Sequence, residues 1–310
     1  MSGAGSAPPR VAAIALNYNG RDVTLQALAS LTAQDYAACD VVVVDNGSTD
    51  GSEDAIRAAY PSVTVVRTEK NLGPSGGGNL GFRWALDHSY DYALILNNDI
   101  EVAPDFVRQL VAVAESDPRI GIVGPKAYYF WQRDTIWSAG GRLRFAEAVT
   151  SERGMGLVDR GQFDVDDDVE YVNGCAMLVK RAVFEQIGLW DPSYQLCFED
   201  ADFSLRARRA GWRIRYAHLA KLWHMVSTST GGYVPAKTFH SARSTALFVR
   251  RFATPGQRLA ARLMMALAVP VAFLRELPKG NQAAALAKIR GYREGFSAPM
   301  PDPPRWERAS

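Results

Sequence analysis

The chain has 310 residues, 47% of them hydrophobic and 22% charged, and a net charge of +2. That length and apolar content suit one large α/β domain with an appendage, and the small net charge predicts no nucleic-acid partner. Three cysteines, Cys39, Cys175 and Cys197, are odd in number and far apart; this excludes a disulfide framework or a zinc site and reads as reduced core thiols of a cytoplasmic protein.

The opening "MSGAGSAPPR" is small and polar and has no secretory pattern, so residues 1–9 are expected to form a disordered tip. Strand-like and helix-like segments then alternate. "VAAIALN" (11–17) has the look of a buried strand, and "VTLQALASLTAQ" (23–34) carries Leu25, Leu28 and Leu31 at helical spacing. "DVVVVDN" (40–46) is a second buried strand. A helix at 51–60 follows, with Asp50 and Glu53 at its N-cap and N3 positions and Pro61 beyond its end. "VTVVRT" (63–68) is a third strand; a glycine-rich loop (73–78) and a helix (79–89) lead to a fourth, "YALILN" (92–97). Pro104 opens the next helix, and "IGIVGP" (120–125) is a fifth strand. Repeated β-α units of this size predict an α/β fold with a mainly parallel central sheet.

Residues 126–172 are irregular and end in "DVDDDVE" (164–170), a solvated loop by its like charges. "YVNGCAMLVKRAVFEQIG" resumes as strand and short helix, and "FEDADFSLRARRAGW" (198–212) as a helix stopped by a left-handed Gly211. Beyond residue 236 the chain is Ala/Leu/Arg-rich and helical, with a proline-rich tail. Its uncharged run, Leu263 to Leu274, is too short to span a bilayer and contains Pro270. Arg250, Arg251, Arg258, Arg262, Arg275 and Lys279 surround it, so a core helix and a peripheral helix on an anionic membrane face stay equally open.

In open α/β sheets ligands sit at the carboxyl ends of the strands. The polar residues gather there: Asn17-Tyr18-Asn19-Gly20, Asp45 to Ser52, Asn97-Asn98-Asp99, and the loop "NLGPSGGGN" (71–79). Four such ends on one crevice describe a nucleotide pocket. Asp45, fixed after four valines, suits a base imide or a ribose hydroxyl. "GGGN" matches neither GxGxxG nor a P-loop, which argues against dinucleotide dehydrogenases and P-loop NTPases. On the 198–212 helix Asp202 can pair with Arg206, while Asp200 in the first turn suits a general base for a hydroxyl. His224 is either a satisfied core histidine beside Trp223 or, with a strand-end carboxylate, part of a mixed N/O site for Mn²⁺ or Mg²⁺.

"NYNG", "VVVVDNGSTDGS", "NLGPSGGGNLGF", "LILNNDIEV", "NGCAMLVKRAVFEQIGLWDPSY" and "CFEDADFSLRARRAGW" occur in a telling order. With them the chain resembles the family 2 glycosyltransferases of GT-A fold, particularly the bacterial rhamnosyltransferase-like branch, over residues 10–232. The resemblance implies a catalytic domain at 10–235 and a helical extension at 236–310. It implies that Asn17, Asp45 and Asn71 contact base and ribose, with Asn19 and Asn98 beside them, and that Gly77 and Asn79 belong to the donor loop. Asp99 matches the last acid of the metal-binding DxD motif, Asn97 stands at its first position, and His224 completes the site for Mn or Mg. Asp200 matches the catalytic base, with Glu199 beside it, and members of this type invert the anomeric centre.

Two departures stand out. Pro74-Ser75-Gly76 replaces the usual aromatic and alanine, which touches donor choice. Asn97 replaces an acid, which leaves Asp99 as the indispensable carboxylate and Asn97 as a tuning ligand. The partners implied are a nucleoside-diphosphate sugar (dTDP-rhamnose or a UDP-sugar) and a glycan or lipid-linked acceptor in cell-surface polysaccharide synthesis. The expected place is the cytoplasm or, peripherally, the inner face of the cytoplasmic membrane; a homodimer stays open. Two other readings are weaker. A sugar-phosphate nucleotidyltransferase would want a basic "GxGTRL"-like loop where "ALNYNGRD" stands, and a catalytically silent binding protein would be expected to lack Asp99 and Asp200.

Overall fold

Short apolar strands that must be buried on both faces need helices above and below them, and the chain supplies both. The computed structural model describes residues 7–145, 149–226 and 234–306. In chain order these form β1 (Val11–Asn17), α1 (Arg21–Leu31), β2 (Cys39–Asp45), α2 (Ser52–Ala59), β3 (Thr64–Arg67), α3 (Gly73–Asp87), β4 (Tyr92–Asn97) and β5 (Ile100–Val102). Next come α4 (Phe106–Glu115), β6 (Ile120–Tyr129), β7 (Gln132–Ser138), β8 (Gly141–Leu143), β9 (Thr150–Glu152), β10 (Asp167–Asp168) and β11 (Ala176–Lys180). The described chain closes with α5 (Arg181–Ile187), α6 (Glu199–Arg209), β12 (Arg213–His224), α7 (Pro235–Phe252), α8 (Pro255–Glu276) and α9 (Gln282–Ser297).

The main sheet runs β10-β12-β6-β11-β4-β1-β2-β3, with β5 on β12 and β7 on β6; β8 and β9 make a separate ribbon. Strands β4, β1, β2 and β3 are parallel, while β11 is antiparallel to both β4 and β6. The α/β, mainly parallel architecture is therefore the one expected. Alternate residues of each strand feed opposite layers. Ala13, Val43, Leu94 and Phe106 lie in one, and Ile14, Val44, Phe82 and Phe203 in the other. Asn17 is level with Asp45, Leu16 with Asn97, and Asp45 with Arg67, so four strands reach the same edge together.

Several local expectations change. The 73–78 stretch is no loop but the first turns of α3, opened by Pro74. Its glycines serve close packing: a Cβ on Gly77 would meet Leu16 Cδ1 at 2.5 Å, and one on Gly81 would meet Ile14 Cγ2 at 2.4 Å. The cap of α2 is Gly51 at φ +78°, and Asp50, one residue earlier, accepts from the Ser52 N–H instead. The acidic run is not merely solvated, because Asp167 and Asp168 pair with β12 and are bridged by Arg153, Arg213 and Arg215. Residues 1–6 of the expected tip lie outside the described residues, and Pro9 is held by the Tyr36 hydroxyl at 2.8 Å. Cys197 is exposed rather than a core thiol, and all three cysteines are free.

The helical extension is tied into the main domain. Arg251 of α7 reaches Asp202 at 2.8 Å and Asp191 at 2.6 Å, both buried. The proline-rich tail runs back across the domain: Pro304 O accepts from the Leu189 N–H, and the Trp306 indole N–H donates to Asp87. Helices α7 and α9 touch backbone to backbone, since Cβ atoms on Gly291 and Gly295 would lie 2.4 Å from the Phe239 and Arg243 carbonyl oxygens. Helix α8 differs. Leu259, Leu263, Leu267, Val271 and Leu274 are 58–66% exposed along one side, which removes the core-helix reading of that segment.

Gly81→Ala tests the close approach of α3. The methyl gains helix propensity of about 1 kcal/mol but overpacks Ile14 and Val44, where such insertions cost roughly 1–3 kcal/mol. A lowered urea midpoint at unchanged slope is expected; an unchanged or raised midpoint would contradict it.

Candidate active site

At the level strand ends a cavity of about 600 Å³ opens between the sheet edge and the first turn of α6. Asn71, Asn97, Asn98, Asp99, Glu199, Asp200 and His224, all expected site residues, line it. Asn97 ends β4, Asp99 follows two residues later, and β12 carries His224 to the same edge through its pairing with β5 and β6. His224 Nε2 lies 3.1 Å from Asp99 Oδ1 and 3.3 Å from Asn97 Nδ2. Trp137 packs edge-on against the imidazole, with centroids 4.6 Å apart, and His224 Nδ1 is buried without a hydrogen-bond partner among the described residues.

Opposite this cluster, α6 begins from an unusual backbone. Cys197 and Phe198 both have positive φ (64° and 73°), which turns the chain sharply so that Glu199 and Asp200 head the helix. Asp200 is oriented through both oxygens: the Gly174 N–H donates to Oδ2 and the Ala201 N–H to Oδ1, each at 2.7 Å. Enclosure by the cavity walls pushes its carboxyl above the usual aspartate range, opposed by those same backbone N–H groups. Glu199 is buried with Oε2 unpartnered among the described residues, and burial, then the neighbouring Asp200 charge, pushes it up as well.

Asn17, Asn19, Asp45, Gly77 and Asn79, also expected, do not line the cavity. Asn17 is fully buried, its amide donating to Asp45 Oδ1 and Ser48 Oγ and its carbonyl accepting from Thr24 and Asn98. Asp45 is equally buried and holds Arg67 Nη1 at 2.7 Å, so the half-exposed guanidinium meets solvent, not the carboxylate. Asn19, at φ 48°, ties its loop to Thr49 and Ser48. Asn79 spends both ends of its amide on the Trp190 backbone, and Gly77 lies in α3 against Leu16 of β1. Asn98 both lines the cavity and donates inward to Thr24.

Sequence reasoning missed other cavity residues. Asn46 bonds Asn71 Oδ1 at 3.1 Å and the Gly73 carbonyl at 3.0 Å, which fixes the start of α3. Glu152 of β9 joins Tyr171, Asn173 and Ser138 in one network on the Asp200 side. Trp137, Trp190 and Lys237 also line the space. Asn46 and Asn173 stand inside quoted motifs and were within reach; Glu152 comes from an aperiodic stretch with no local signal.

Residues 13–188 match the sequence profile of glycosyl transferase family 2. The chain belongs to that family. It is a glycosyltransferase, with rhamnosyltransferase-like relatives. The N-acetylglucosaminyl-diphospho-decaprenol L-rhamnosyltransferase of Mycobacterium tuberculosis is 26% identical over 274 residues, covering 76% of this chain and 82% of that one. A low-salt glycan biosynthesis hexosyltransferase of Haloferax volcanii is 29% identical over 192 residues, covering 60% of this chain and 58% of the relative. Among solved structures, a mannosyltransferase from Pyrobaculum calidifontis in complex with GDP-Man and Mn²⁺ superposes with a TM-score of 0.58 at 18% identity, covering 94% and 88% of the two chains. S. aureus TarS in complex with UDP gives a TM-score of 0.56 at 16% identity, covering 93% and 90%. These likenesses show the fold, the GT-A architecture of such transferases.

The raised Glu199 carboxyl makes a stability prediction. Its folded pKa lies above the unfolded one, so the folded state holds more protons and loses stability as pH rises through that interval. Glu199→Gln should melt like the parent at acidic pH and higher than it at alkaline pH. The gain should grow by about 1.4 kcal/mol for each pH step of one between the unfolded and folded pKa. Parallel melting curves across pH would contradict the buried-acid reading.

Proposed function

We propose that this transferase moves a sugar from a nucleoside-diphosphate sugar to a hydroxyl of a lipid-linked or glycan acceptor, with inversion, in cell-surface polysaccharide synthesis. The observation that carries it is one cavity holding a backbone-oriented carboxylate, Asp200, and the separate cluster Asn97, Asp99 and His224. A lipid-diphosphate acceptor is supported by the rhamnosyltransferase of M. tuberculosis, whose name states a diphospho-decaprenol acceptor; the donor we infer is a thymidine or uridine diphosphate sugar.

The cluster fits a divalent ion by its chemistry: a carboxylate and an imidazole nitrogen converge, and a half-turn of the Asn97 amide presents a carbonyl oxygen. Asp99, His224 and Asn97 would hold it, and when bound it would supply charge neutralisation for the departing diphosphate. The chain's own residues do the rest. Asp200 accepts the proton of the acceptor hydroxyl, whose oxygen attacks the sugar C1 as the C1–diphosphate bond breaks. A single direct displacement reverses the anomeric configuration. The N–H groups of Gly174 and Ala201 hold the carboxylate in place, so little reorganisation is needed as its charge is used. Glu199, pushed toward its neutral form, leaves the pair with one negative charge. Asn71, fixed by Asn46, and Asn98 stand on the donor side of the cavity. We assign Asn17, Asn19, Asp45, Gly77 and Asn79 to shaping that side, with Asp45 held in place by Arg67.

Asp200→Asn keeps the shape and removes the base. Turnover should fall about 10²–10⁴-fold while donor affinity is retained; near-parent turnover would remove Asp200 from the mechanism. In the parent, kcat should decline on the acid side at a pH above the ordinary aspartate range, because the raised group must be ionised to accept a proton. Asp99→Ala should erase the difference between nucleoside-diphosphate binding with and without Mn²⁺ in calorimetry. A persisting Mn²⁺ effect would place the ion elsewhere.

A further inference from the structure

Helix α8 has two unlike sides. Ala261, Met265, Ala272 and Glu276 are buried and form its inner stripe. On the outer stripe Leu259, Leu263, Leu267, Val271 and Leu274 follow at intervals of four, four, four and three, all more than half exposed, with Met264 beside them. That spacing lines up one face of a helix. Large exposed apolar side chains in a continuous row mark a surface that meets something less polar than water.

Charge decides what. Between Pro255 and Ser297 the chain carries seven basic and two acidic residues, a surplus of five in a protein whose total is +2. Of the two acids, Glu276 is buried and Glu294 is engaged by Arg243. Arg262 and Arg275 are exposed on α8 itself. A groove of about 1060 Å³ between α8 and α9 carries Arg262, Arg290 and Arg293 over Met265, Val269 and Ile289. Arginines flanking apolar side chains match the phosphate layer of a lipid surface, with the leucines below it. A second copy fits poorly, because a symmetric contact would set one basic surface against another.

We propose that the outer face of α8 docks this protein on an anionic membrane surface, lying in the interface rather than crossing it. The inner stripe packs on protein, so lipid cannot surround the helix. Helix α7 links this face to the active site: Lys237 lines the catalytic cavity, and Phe239, two residues on, lines the α8–α9 groove. Docking there would hold the cavity near the head group of a lipid-linked acceptor. That use rests on the proposed transfer reaction; the docking itself does not.

The test is co-sedimentation of the full chain with vesicles of phosphatidylcholine alone or with phosphatidylglycerol. Binding should require phosphatidylglycerol and weaken in about 0.5 M salt, where charges are screened within a few ångströms. Leu263→Gln/Leu267→Gln/Val271→Gln and, separately, Arg262→Glu/Arg290→Glu/Arg293→Glu should each lower partition at least tenfold, with circular dichroism and nucleotide-dependent thermal shift unchanged. Equal recovery with neutral and anionic vesicles, or parent-like partition of the leucine variant, would overturn the proposal. So would resistance to alkaline carbonate extraction, which reports a spanning helix, or an apolar face that changes only the oligomeric state. Failure of sugar transfer with vesicle binding intact would count against the reaction and leave the docking surface standing.

Discussion

Asp202 is fully buried, and two guanidinium groups hold it: Arg206 from its own helix and Arg251 from α7. Arg206 also donates to the Ile187 and Leu189 carbonyls, and Arg251 is ion-paired with Asp191. Breaking a buried pair from one side strands a charge and typically costs about 3–5 kcal/mol. This network therefore fixes where α6 lies and joins the helical extension to the main domain. The first turn of α6 is where Glu199 and Asp200 sit, so the position of the proposed base depends on it.

The other half of the site depends on strand register. Parallel pairing brings β1, β2, β3 and β4 to one edge, and close packing of α3 through Gly77 and Gly81 seals the layer behind them. Polar side chains at those ends then have two fates. Asn17 and Asp45 are consumed by buried hydrogen bonds, as buried polar groups must be, and so is Asn79 of α3 beside them. Asn97, Asp99 and His224 face the cavity instead, where their donor atoms converge.

Much of this was legible in the sequence because its causes are local or periodic. Strand runs such as "VVVVD", the Asp202–Arg206 spacing and the left-handed Gly211 are each set by neighbours within a turn. More than a hundred residues separate His224 from Asn97 and Asp99, so family likeness carries their grouping into one site, and the pairing of β12 with β5 and β6 brings them to one edge. What stayed hidden depended on distant partners. Glycines 76–78 read as a loop until the sheet beneath α3 is seen, and the acidic 164–170 run read as solvated until the arginines of β12 reach it. Glu152 entered the site through a ribbon with no periodic signal, and the exposed side of α8 could not be told from a core helix without its surroundings.

The central claim is that a divalent ion on Asp99 and His224 and a base at Asp200 face each other across one cavity. The most direct measurement is an anomalous difference map from crystals grown with Mn²⁺ and uridine or thymidine diphosphate. The account predicts one strong peak within ligand distance of Asp99 and His224 Nε2, touching the diphosphate, with Asp200 open to the space beyond it. A peak elsewhere, or a diphosphate bound on another face of the sheet, would contradict it.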